Sequence, residues 1–533
     1  MSRREVGIPT RSGKCEFKVK KILMFLLLTS VIYFAAWMSL ARPYRLFPSD
    51  DDYFRSFIDE PRILNTVLMT IRSHHPVLLV SLKLSQMFWA LFSPDLSSAL
   101  LFQAALSNAG ILFLIGAIVF TLTQSAWACG LGVLLYAFSG WSAVYYFFYS
   151  YAPFAAMLSL FGLYFILKEY LEPSASAGGL KRAGIISGLA FWASPSAGVM
   201  IAVNILILLY LFRPRIKENN NALRGYIKSL FLAILPFSFL SFAALKDHIL
   251  ENCRQYAGAD VRVIKTLFFS FFRVLGEYNH WFLAGFFFLA VFYLITVILR
   301  RGHTEERRRE KAVWALTIGI FLGSFLIDIL PSTKLARTNF ALYPLFIISA
   351  VSLFRVLFSR LPGRLRYGLA ALGIILLVPL LYANLKLCRE LIRVKQGVPR
   401  YLALQPKDRP VYILEEDSHA DSIASWLEGF DIQRIKKADL GKIVSSGSRG
   451  GLILGPGGLG SGRSILSNCC LDDFYADDIK QALVLKGVKA ITLPYYAYFP
   501  PFLLEEEACE GLYFSGHRVD WRDKDKNISV FNW

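Results

Sequence analysis

Eleven apolar stretches of this chain are predicted to cross a bilayer, and this pattern is the feature that most constrains what the chain can fold into. A bilayer core needs about 20 apolar residues per spanning helix. Of the 533 residues, 55% are hydrophobic and 18% are charged, whereas soluble domains average about 25% charged residues. A soluble enzyme, a fibre and a disordered chain are therefore excluded, and a polytopic α-helical membrane domain is predicted over residues 22–384. The predicted spans are Ile22–Leu40, Pro76–Phe92, Ser98–Thr123, Ala126–Trp141, Phe154–Leu167, Gly184–Phe212, Ser229–Leu245, Trp281–Leu299, Ala312–Leu330, Phe340–Phe358 and Tyr367–Ala383.

The basic residues of the connecting loops predict how the spans are oriented. With residues 1–21 in the cytoplasm, the inside loops carry 21 Lys and Arg residues, and the longer outside loops carry 14. Basic loops stay on the cytoplasmic side, so residues 42–75 and the chain after the last span are expected outside. The aromatic stretch 144–152 separates two spans in this topology, because a single bent helix there would turn the basic loop 300–311 outward.

The character of the chain changes at about residue 385, where charged residues return and the apolar runs shorten. Strands are predicted at Val411–Leu414, Gly451–Leu454 and Val488–Leu493, with a helical pattern at Ser418–Phe430. We therefore expect a soluble, extracytoplasmic α/β accessory domain over residues 385–533. The cysteines show no zinc-binding spacing. No metal site or cofactor is predicted, although the sequence does not exclude a divalent metal ion.

The first outside loop, residues 42–75, is long and charged for a connection between two spans. It places Asp50, Asp51 and Asp52 side by side next to the membrane. One interpretation is helix capping, because Ser49 and Asp52 match the S-x-x-D pattern and carboxylates favour a helix N-terminus. Capping needs one or two carboxylates, whereas three adjacent ones repel each other. Such crowding raises the pKa of a carboxylate and suits a proton acceptor, so the sequence favours a catalytic role.

Motifs in these loops resemble those of a known superfamily. The sequence DDDYF at 50–54, followed by HP at 75–76, is similar to the Asp-Glu-x-Tyr-Tyr and His-Pro elements of the C-type glycosyltransferases. The sequence PSTKLAR at 331–337, with YP at 343–344, is similar to their late outside loop. The resemblance covers about Ile22–Phe358. It is to the branch that contains the protein O-mannosyltransferases and the lipid A aminoarabinose transferase.

Three positions depart from the pattern of that branch. Asp51 stands where Glu is usual, which shortens the side chain by one methylene. Val77 replaces a common second Pro, and Tyr149–Tyr151 lacks an Arg that often follows the fourth span. The last two departures bear on the specificity for sugar and lipid.

The resemblance implies a donor sugar on a polyprenyl phosphate and an acceptor hydroxyl that attacks its anomeric carbon. It implies Asp50 as the base, with Asp51 orienting the base or the acceptor. The candidates for binding the donor phosphate are His74, His75, Lys334 and Arg337, and the supporting candidates are Asp52, Tyr53, Arg55 and Lys83. An alternative interpretation of Lys334 and Arg337 is that they snorkel at a helix end.

The predicted function is therefore that of a membrane glycosyltransferase of the cell envelope. It would move a hexose or pentose from the polyprenyl-phosphate donor to a lipid, glycan or protein hydroxyl. We expect a multi-pass protein of the plasma (inner) membrane with its active site on the extracytoplasmic face. Membrane lipid is an expected partner and nucleic acid is not, because the basic clusters that give the net charge of +19 lie between apolar runs.

Two alternatives stay open. A transporter or flippase for a lipid-linked or polar solute would place ionisable residues in the middle of the bilayer, often with internal repeats. Here the charges gather in an outside loop and the sequence shows no repeat. A non-catalytic assembly protein would use residues 50–52 only as helix caps.

Overall fold

The computed structural model describes the helical region between residues 12 and 360 with gaps, and part of the chain after residue 409. Three predicted features lie outside the described residues: the helix at Ser418–Phe430, and most of the spans at Trp281–Leu299 and Tyr367–Ala383. The described segments are 12–41, 60–73, 75–92, 96–139, 152–172, 178–213, 216–241, 305–329, 342–360, 409–415, 430–445, 450–454, 488–494 and 527–532, with single positions or short pieces between them.

Helices dominate the described part of the chain. Among the described residues, four stretches are long and apolar enough to cross a membrane: Val19–Ser39, Ala99–Thr123, Ala152–Leu171 and Leu342–Ser359. They confirm helices at four predicted spans. The helices are α1 (Ser12–Ala41), α2 (Ile63–Arg72), α3 (Pro76–Trp89), α4 (Leu96–Thr123), α5 (Ala126–Ala137), α6 (Ala152–Leu171), α7 (Gly178–Ala193), α8 (Gly198–Phe212), α9 (Ile216–Leu240), α10 (Glu305–Ile329) and α11 (Leu342–Arg360).

The first long helices of the bundle run in alternating directions. The ring of Phe34 in α1 lies 5.5 Å from that of Phe102 in α4, and Leu26 lies against Gly116, so α4 is antiparallel to α1. The hydroxyl of Tyr136 in α5 donates a 2.7 Å hydrogen bond to Asn108 of α4. The two apolar runs on either side of residues 143–151, which lie outside the described residues, form the helices α5 and α6.

The apolar stretch at 76–92 does not cross the bundle, and its prediction as a span is wrong. It forms α3, which has 14 residues and is therefore about 21 Å long. Val77 in its first turn packs on the alanine cluster that contains Ala193. Trp89 in its last turn packs on Phe102, near the beginning of α4. Since α4 begins at the end of the bundle where α1 finishes, α3 starts and ends on that same side.

The predicted span at Gly184–Phe212 is also wrong, because it is two helices with a reversal between them. The break lies at Ser194 and the 3₁₀ turn Pro195–Ala197. Proline has no N–H to donate and disfavours helix in the residue before it. After the turn the chain returns along α6. Asn204 donates to the Ser159 carbonyl at 3.2 Å, and the ring of Phe212 lies 5.6 Å from that of Tyr170.

Helices α7 and α9 approach closely because glycines line their interface. A Cβ atom on Gly184 would collide with the Tyr226 carbonyl, and one on Gly188 would collide with Ala233. Trp192 closes this interface by donating to the Ile234 carbonyl at 2.9 Å. Small residues that let backbones approach are typical of helix pairs inside membranes.

The two ends of the bundle differ in charge. One end, which we call the basic end, contains the ends of helices at Leu171, Gly178, Phe212 and Glu305. We call the other the His75 end, because it contains His75 together with the helix ends at Ala193 and Leu342. The described residues toward the basic end include Lys20, Lys21, Lys168, Lys181, Arg182, Arg213, Arg224, Lys228, Arg307, Arg308, Arg309, Lys311 and Arg355.

A five-stranded sheet follows the bundle in the sequence, and it contains the three predicted strands. Its order is β2-β1-β3-β5-β4, in which β5 is antiparallel to both of its neighbours and the other pairs are parallel. All four residues of β1 are buried, as expected for a strand covered on both faces. The elements are β1 (Val411–Leu414), β2 (Ile432–Ile435), α12 (Lys437–Ser445), β3 (Gly451–Leu454), β4 (Lys489–Pro494) and β5 (Asn527–Asn532).

Candidate functional site

His75 is the predicted phosphate-site residue that the structure describes, and it is buried, with 6% of its surface exposed. Its Nδ1 atom lies 2.9 Å from the carbonyl oxygen of Ala193 in α7. Because a carbonyl oxygen can only accept, the ring donates from Nδ1. Its Nε2 atom is then an acceptor in the neutral ring and a donor in the imidazolium.

The local sequence explains why His75 is held in this orientation. Its backbone N–H donates to the hydroxyl of Ser73 at 2.9 Å. Pro76 begins α3 directly after it, where the missing proline N–H costs no helix hydrogen bond. The acceptor carbonyl of Ala193 lies at the last residue of α7, beside the break at Pro195. Pro76 therefore sets where α3 begins and Pro195 sets where α7 ends, and these two helix ends meet at the contact between His75 and Ala193.

Further contacts tie the loop between α1 and α4 to the bundle. Ser241, just after α9, donates to the carbonyl of Ile71 in α2 at 2.8 Å. Lys83 of α3 donates from Nζ to the Glu60 carbonyl at 3.3 Å. Lys83 was predicted to support the site, and the structure shows it holding the entry to α2. The segment that follows Asp50–Asp52 is therefore held at the beginning of α2 by Lys83 and at its end by Ser241.

A buried polar cluster holds α3 against α4. Gln103 of α4 donates from its amide to the Ser81 hydroxyl at 2.8 Å and accepts from the Ser85 hydroxyl. Gln103 and Ser85 are almost fully buried. In an apolar environment, leaving one of these polar groups unpaired is costly, so the cluster fixes how α3 lies on the bundle. His75 is the residue that directly precedes this fixed helix.

The late loop that carries Lys334 and Arg337 begins and ends at the same end of the bundle. Helix α10 finishes at Ile329 and α11 starts at Leu342, which packs against Gly323 of α10. Directly after Leu342, the buried side chain of Tyr343 is hydrogen-bonded to that of Ser139. Ser139 follows α5, so this contact connects the exit of the late loop to the bundle.

Most of the predicted site residues lie outside the described residues. They are Asp50, Asp51, Asp52, Tyr53, Arg55, His74, Lys334 and Arg337. The structure does describe both sides of each loop that contains them. Among the described residues, no group of three or more His, Cys, Asp or Glu side chains could hold a metal ion.

Sequence reasoning missed the partners of the described site residues. The carbonyl of Ala193, the hydroxyl of Ser139 and the amide of Gln103 carry no sequence signature of a site. The Ser194-Pro195 step was the one available signal. It predicts a helix break inside an apolar stretch of 29 residues, from Gly184 to Phe212, and hence a free helix end at Ala193.

Comparison with known proteins gives matches among solved structures. No family model matches the chain, and neither does any curated protein. The chain is similar to ArnT from Cupriavidus metallidurans bound to undecaprenyl phosphate, with a TM-score of 0.50 and 13% identity over 95% of this chain and 98% of that one. The chain has the fold of the C-type glycosyltransferases.

The four long apolar helices of the described residues, together with this fold, support an integral membrane protein. Two further solved structures are similar at lower scores. AglB from Archaeoglobus fulgidus, in complex with an inhibitory peptide and a dolichol-phosphate, has a TM-score of 0.47 and 11% identity over 79% of this chain and 64% of that one. The arabinofuranosyltransferase AftD from mycobacteria has a TM-score of 0.46 and 12% identity over 96% of this chain and 40% of that one.

Proposed function

We propose that this protein transfers a sugar from a polyprenyl-phosphate donor to a lipid, glycan or protein hydroxyl at the outer face of the membrane. The observation that carries the proposal is the fold shared with ArnT, whose structure holds undecaprenyl phosphate. The match extends over almost the whole length of both chains. The loops that contain the predicted catalytic residues then belong to one end of a membrane bundle, where a lipid phosphate and an aqueous acceptor can meet.

The charge of the bundle supports the outer face. Basic residues gather at the basic end, whereas the described Lys and Arg residues near the His75 end are fewer, namely Arg62, Arg72, Lys83 and Lys246. Loops rich in Lys and Arg stay in the cytoplasm. This orientation puts the basic end inside and the His75 end outside. It also moves the Lys181–Arg182 pair to the cytoplasmic side, opposite to the side predicted for it from the sequence.

The chemistry needs a base at the acceptor and positive charge at the leaving phosphate. Asp50 takes the proton of the acceptor hydroxyl as its oxygen bonds to the anomeric carbon of the sugar. The bond from that carbon to the phosphate oxygen breaks, and the polyprenyl phosphate leaves with the electron pair. Asp51 orients the base or the acceptor. Lys334 and Arg337 stabilise the charge that develops on the phosphate.

His75 fits a role at the phosphate because its ring is already oriented. The bond to the Ala193 carbonyl fixes Nδ1, so Nε2 is the atom that would bind the phosphate as an imidazolium. A charge-assisted hydrogen bond of this kind is about twice as strong as a neutral one. The same bond also makes His75 an anchor of the outside loop, and the two roles are separable by substitution.

Donor cleavage by the purified protein tests the proposed function. The protein would be reconstituted in proteoliposomes with a panel of polyprenyl-phosphate hexoses and pentoses, and with envelope lipid and glycan extracts as acceptors. We expect release of polyprenyl phosphate and labelled acceptor with at least one donor, and loss of both with Asp50→Asn. Movement of an intact donor or solute between leaflets, without cleavage of any donor, would reject sugar transfer and favour the transporter alternative.

A further inference from the structure

A basic side chain lies within a membrane-crossing stretch near the basic end of the bundle. Arg355 belongs to α11 and to the apolar stretch Leu342–Ser359. It precedes Arg360, the last residue of the helix, by about 7.5 Å along the axis. A charge in an apolar environment is costly unless it is paired. The position of Arg355 therefore requires a partner for its positive charge.

The protein supplies an aromatic ring to Arg355 but no anion. The guanidinium carbon of Arg355 lies 5.8 Å from the centroid of the Trp127 ring in α5, within the range of a cation–π contact. Its Nε atom is buried and has no hydrogen-bond partner. Among the residues that the structure describes, no carboxylate forms an ion pair with Arg355. The ring offsets part of the charge and leaves the guanidinium without a counter-ion.

Trp127 indicates the depth at which this contact lies in the bilayer. It is the second residue of α5, at the basic end, and 43% of its surface is exposed. Its ring packs on those of Phe354 and Phe358 in α11, at 6.0 and 5.5 Å. Exposed tryptophans at the end of a membrane helix lie at the level of the lipid headgroups. Because Arg355 is only half-buried, part of its side chain reaches the surface at that level.

An apolar stripe leads from Trp127 toward the middle of the bilayer. Gly130 and Leu134 follow Trp127 on the same face of α5, because residues three or four apart share a helix face. A Cβ atom on Gly130 would meet nothing within 4 Å, and Leu134 is 51% exposed. Gly130 therefore leaves a shallow notch between two large exposed side chains. A linear acyl chain suits a notch of this shape.

We propose that Arg355 and Trp127 bind one anionic phospholipid from the leaflet at the basic end. The phosphodiester supplies the anion that the guanidinium lacks, and an acyl chain lies along the stripe from Trp127 through Gly130 to Leu134. Basic sites between membrane helices bind acidic headgroups in this way. A choline headgroup brings its own cation beside Arg355, so the site favours a lipid with net negative charge. The site lies at the opposite end of the bundle from His75, and its occupancy does not depend on sugar transfer.

Quenching of Trp127 by brominated lipids tests this proposal in nanodiscs. Phosphatidylglycerol and phosphatidylcholine with the same dibrominated acyl chains would each be added at rising fractions to unbrominated phosphatidylcholine. The chain has 10 Trp, so the signal of Trp127 is the difference between each protein and the same protein with Trp127→Phe. Arg355→Gln removes the charge. Arg182→Gln is the matched control, because Arg182 is an exposed arginine at the same end of the bundle.

Phosphatidylglycerol should bind beside Trp127 about tenfold or more tightly than phosphatidylcholine, as expected for a hydrogen bond to a charged group. Arg182→Gln should keep this preference, and Arg355→Gln should lose it. Equal quenching by the two lipids in the unsubstituted protein would overturn the proposal without any variant of Arg355. An unchanged preference in Arg355→Gln would overturn it as well. Inorganic phosphate would be added against sodium chloride of equal ionic strength. Displacement of phosphatidylglycerol by phosphate alone would show a site for the free ion and overturn the assignment to lipid.

Discussion

The Nδ1 atom of His75 lies 2.9 Å from the carbonyl oxygen of Ala193, although the two residues are 118 positions apart in the chain. The contact joins the start of α3 to the last residue of α7, and Pro76 and Pro195 fix the backbone on either side. It holds a predicted donor-binding residue in one ring orientation. Nδ1 therefore anchors the loop, and under the proposed function Nε2 of the same ring binds the donor phosphate.

Paired substitutions of His75 should separate anchoring from phosphate binding. The amide nitrogen of His75→Asn reaches the position of Nδ1, whereas that of His75→Gln reaches the position of Nε2. If Nε2 binds the phosphate, the Asn variant should raise the KM for the donor about tenfold or more, as expected for the loss of a hydrogen bond to a charged group. Its melting temperature should stay near that of the unsubstituted protein.

The Gln variant reports on the anchor. It should retain more donor affinity than the Asn variant and should lower the melting temperature, because the Ala193 carbonyl loses its buried donor. Steady-state kinetics and thermal unfolding in detergent would be measured on both. A normal KM for Asn together with a lower melting temperature for Gln would assign His75 to anchoring alone.

Asp50→Asn distinguishes catalysis from helix capping. Asparagine is as good an N-terminal helix partner as aspartate, but it cannot accept the acceptor proton. The catalytic assignment predicts a fall in kcat on the order of 10²-fold or more, whereas capping predicts near-normal turnover. Asp52→Asn, at the capping position, is the matched control and should change turnover least. Full activity of both Asp50→Asn and Asp51→Asn would remove the carboxylate assignment.

Tyr343→Phe should weaken the connection between the late loop and the bundle. The substitution removes only the hydroxyl that is hydrogen-bonded to Ser139, and the loss should cost about 1 kcal/mol of stability. Because Lys334 and Arg337 lie on the loop that ends beside Tyr343, the KM for the donor should rise while the pH profile keeps its shape. Tyr382→Phe, at a position that is 71% exposed, is the control and should leave both properties unchanged.

Gly184→Ala should destabilise the bundle, because its new Cβ would collide with the Tyr226 carbonyl. Forcing α7 and α9 apart should cost about 1–3 kcal/mol, which thermal unfolding in detergent would show as a lower melting temperature. Gly130→Ala is the matched control. It also lies in a helix, but a Cβ there would meet nothing within 4 Å. Equal melting temperatures for the two variants would contradict the close packing of α7 on α9.

Labelling of single cysteines in intact cells tests the corrected topology. The sequence places Glu172 outside, whereas the structure places it at the basic end, next to the end of α6. With a membrane-impermeant maleimide, Glu172→Cys should be protected and Pro61→Cys, near the His75 end, should react. Both positions are exposed in the structure, so burial would not explain a difference. Reaction of Glu172→Cys alone would reverse the orientation.

Hydropathy predicted the long helices well, because about 20 apolar residues suit a bilayer whatever surrounds them. It failed at α3 and at Gly184–Phe212, since apolar content does not say in which direction a helix runs. The stretch at Pro76–Phe92 was predicted to cross the bundle and does not. The stretch at Gly184–Phe212 was predicted as one span and is two helices that run in opposite directions. The two errors cancel, so the loop after α8 keeps its predicted side while the loops between α4 and α7 change sides.

The sequence by itself determined that the chain is a membrane bundle with charged loops, because composition and the length of apolar runs are local properties. It also placed β1 and β3, whose short apolar runs are bounded by turn residues. Only the tertiary structure decided that His75 meets Ala193 and that Tyr343 meets Ser139. It also decided that the guanidinium of Arg355 lies over the ring of Trp127. Contacts of this kind depend on which helix ends come together, and distant parts of a chain carry no signal of that until packing brings them into contact.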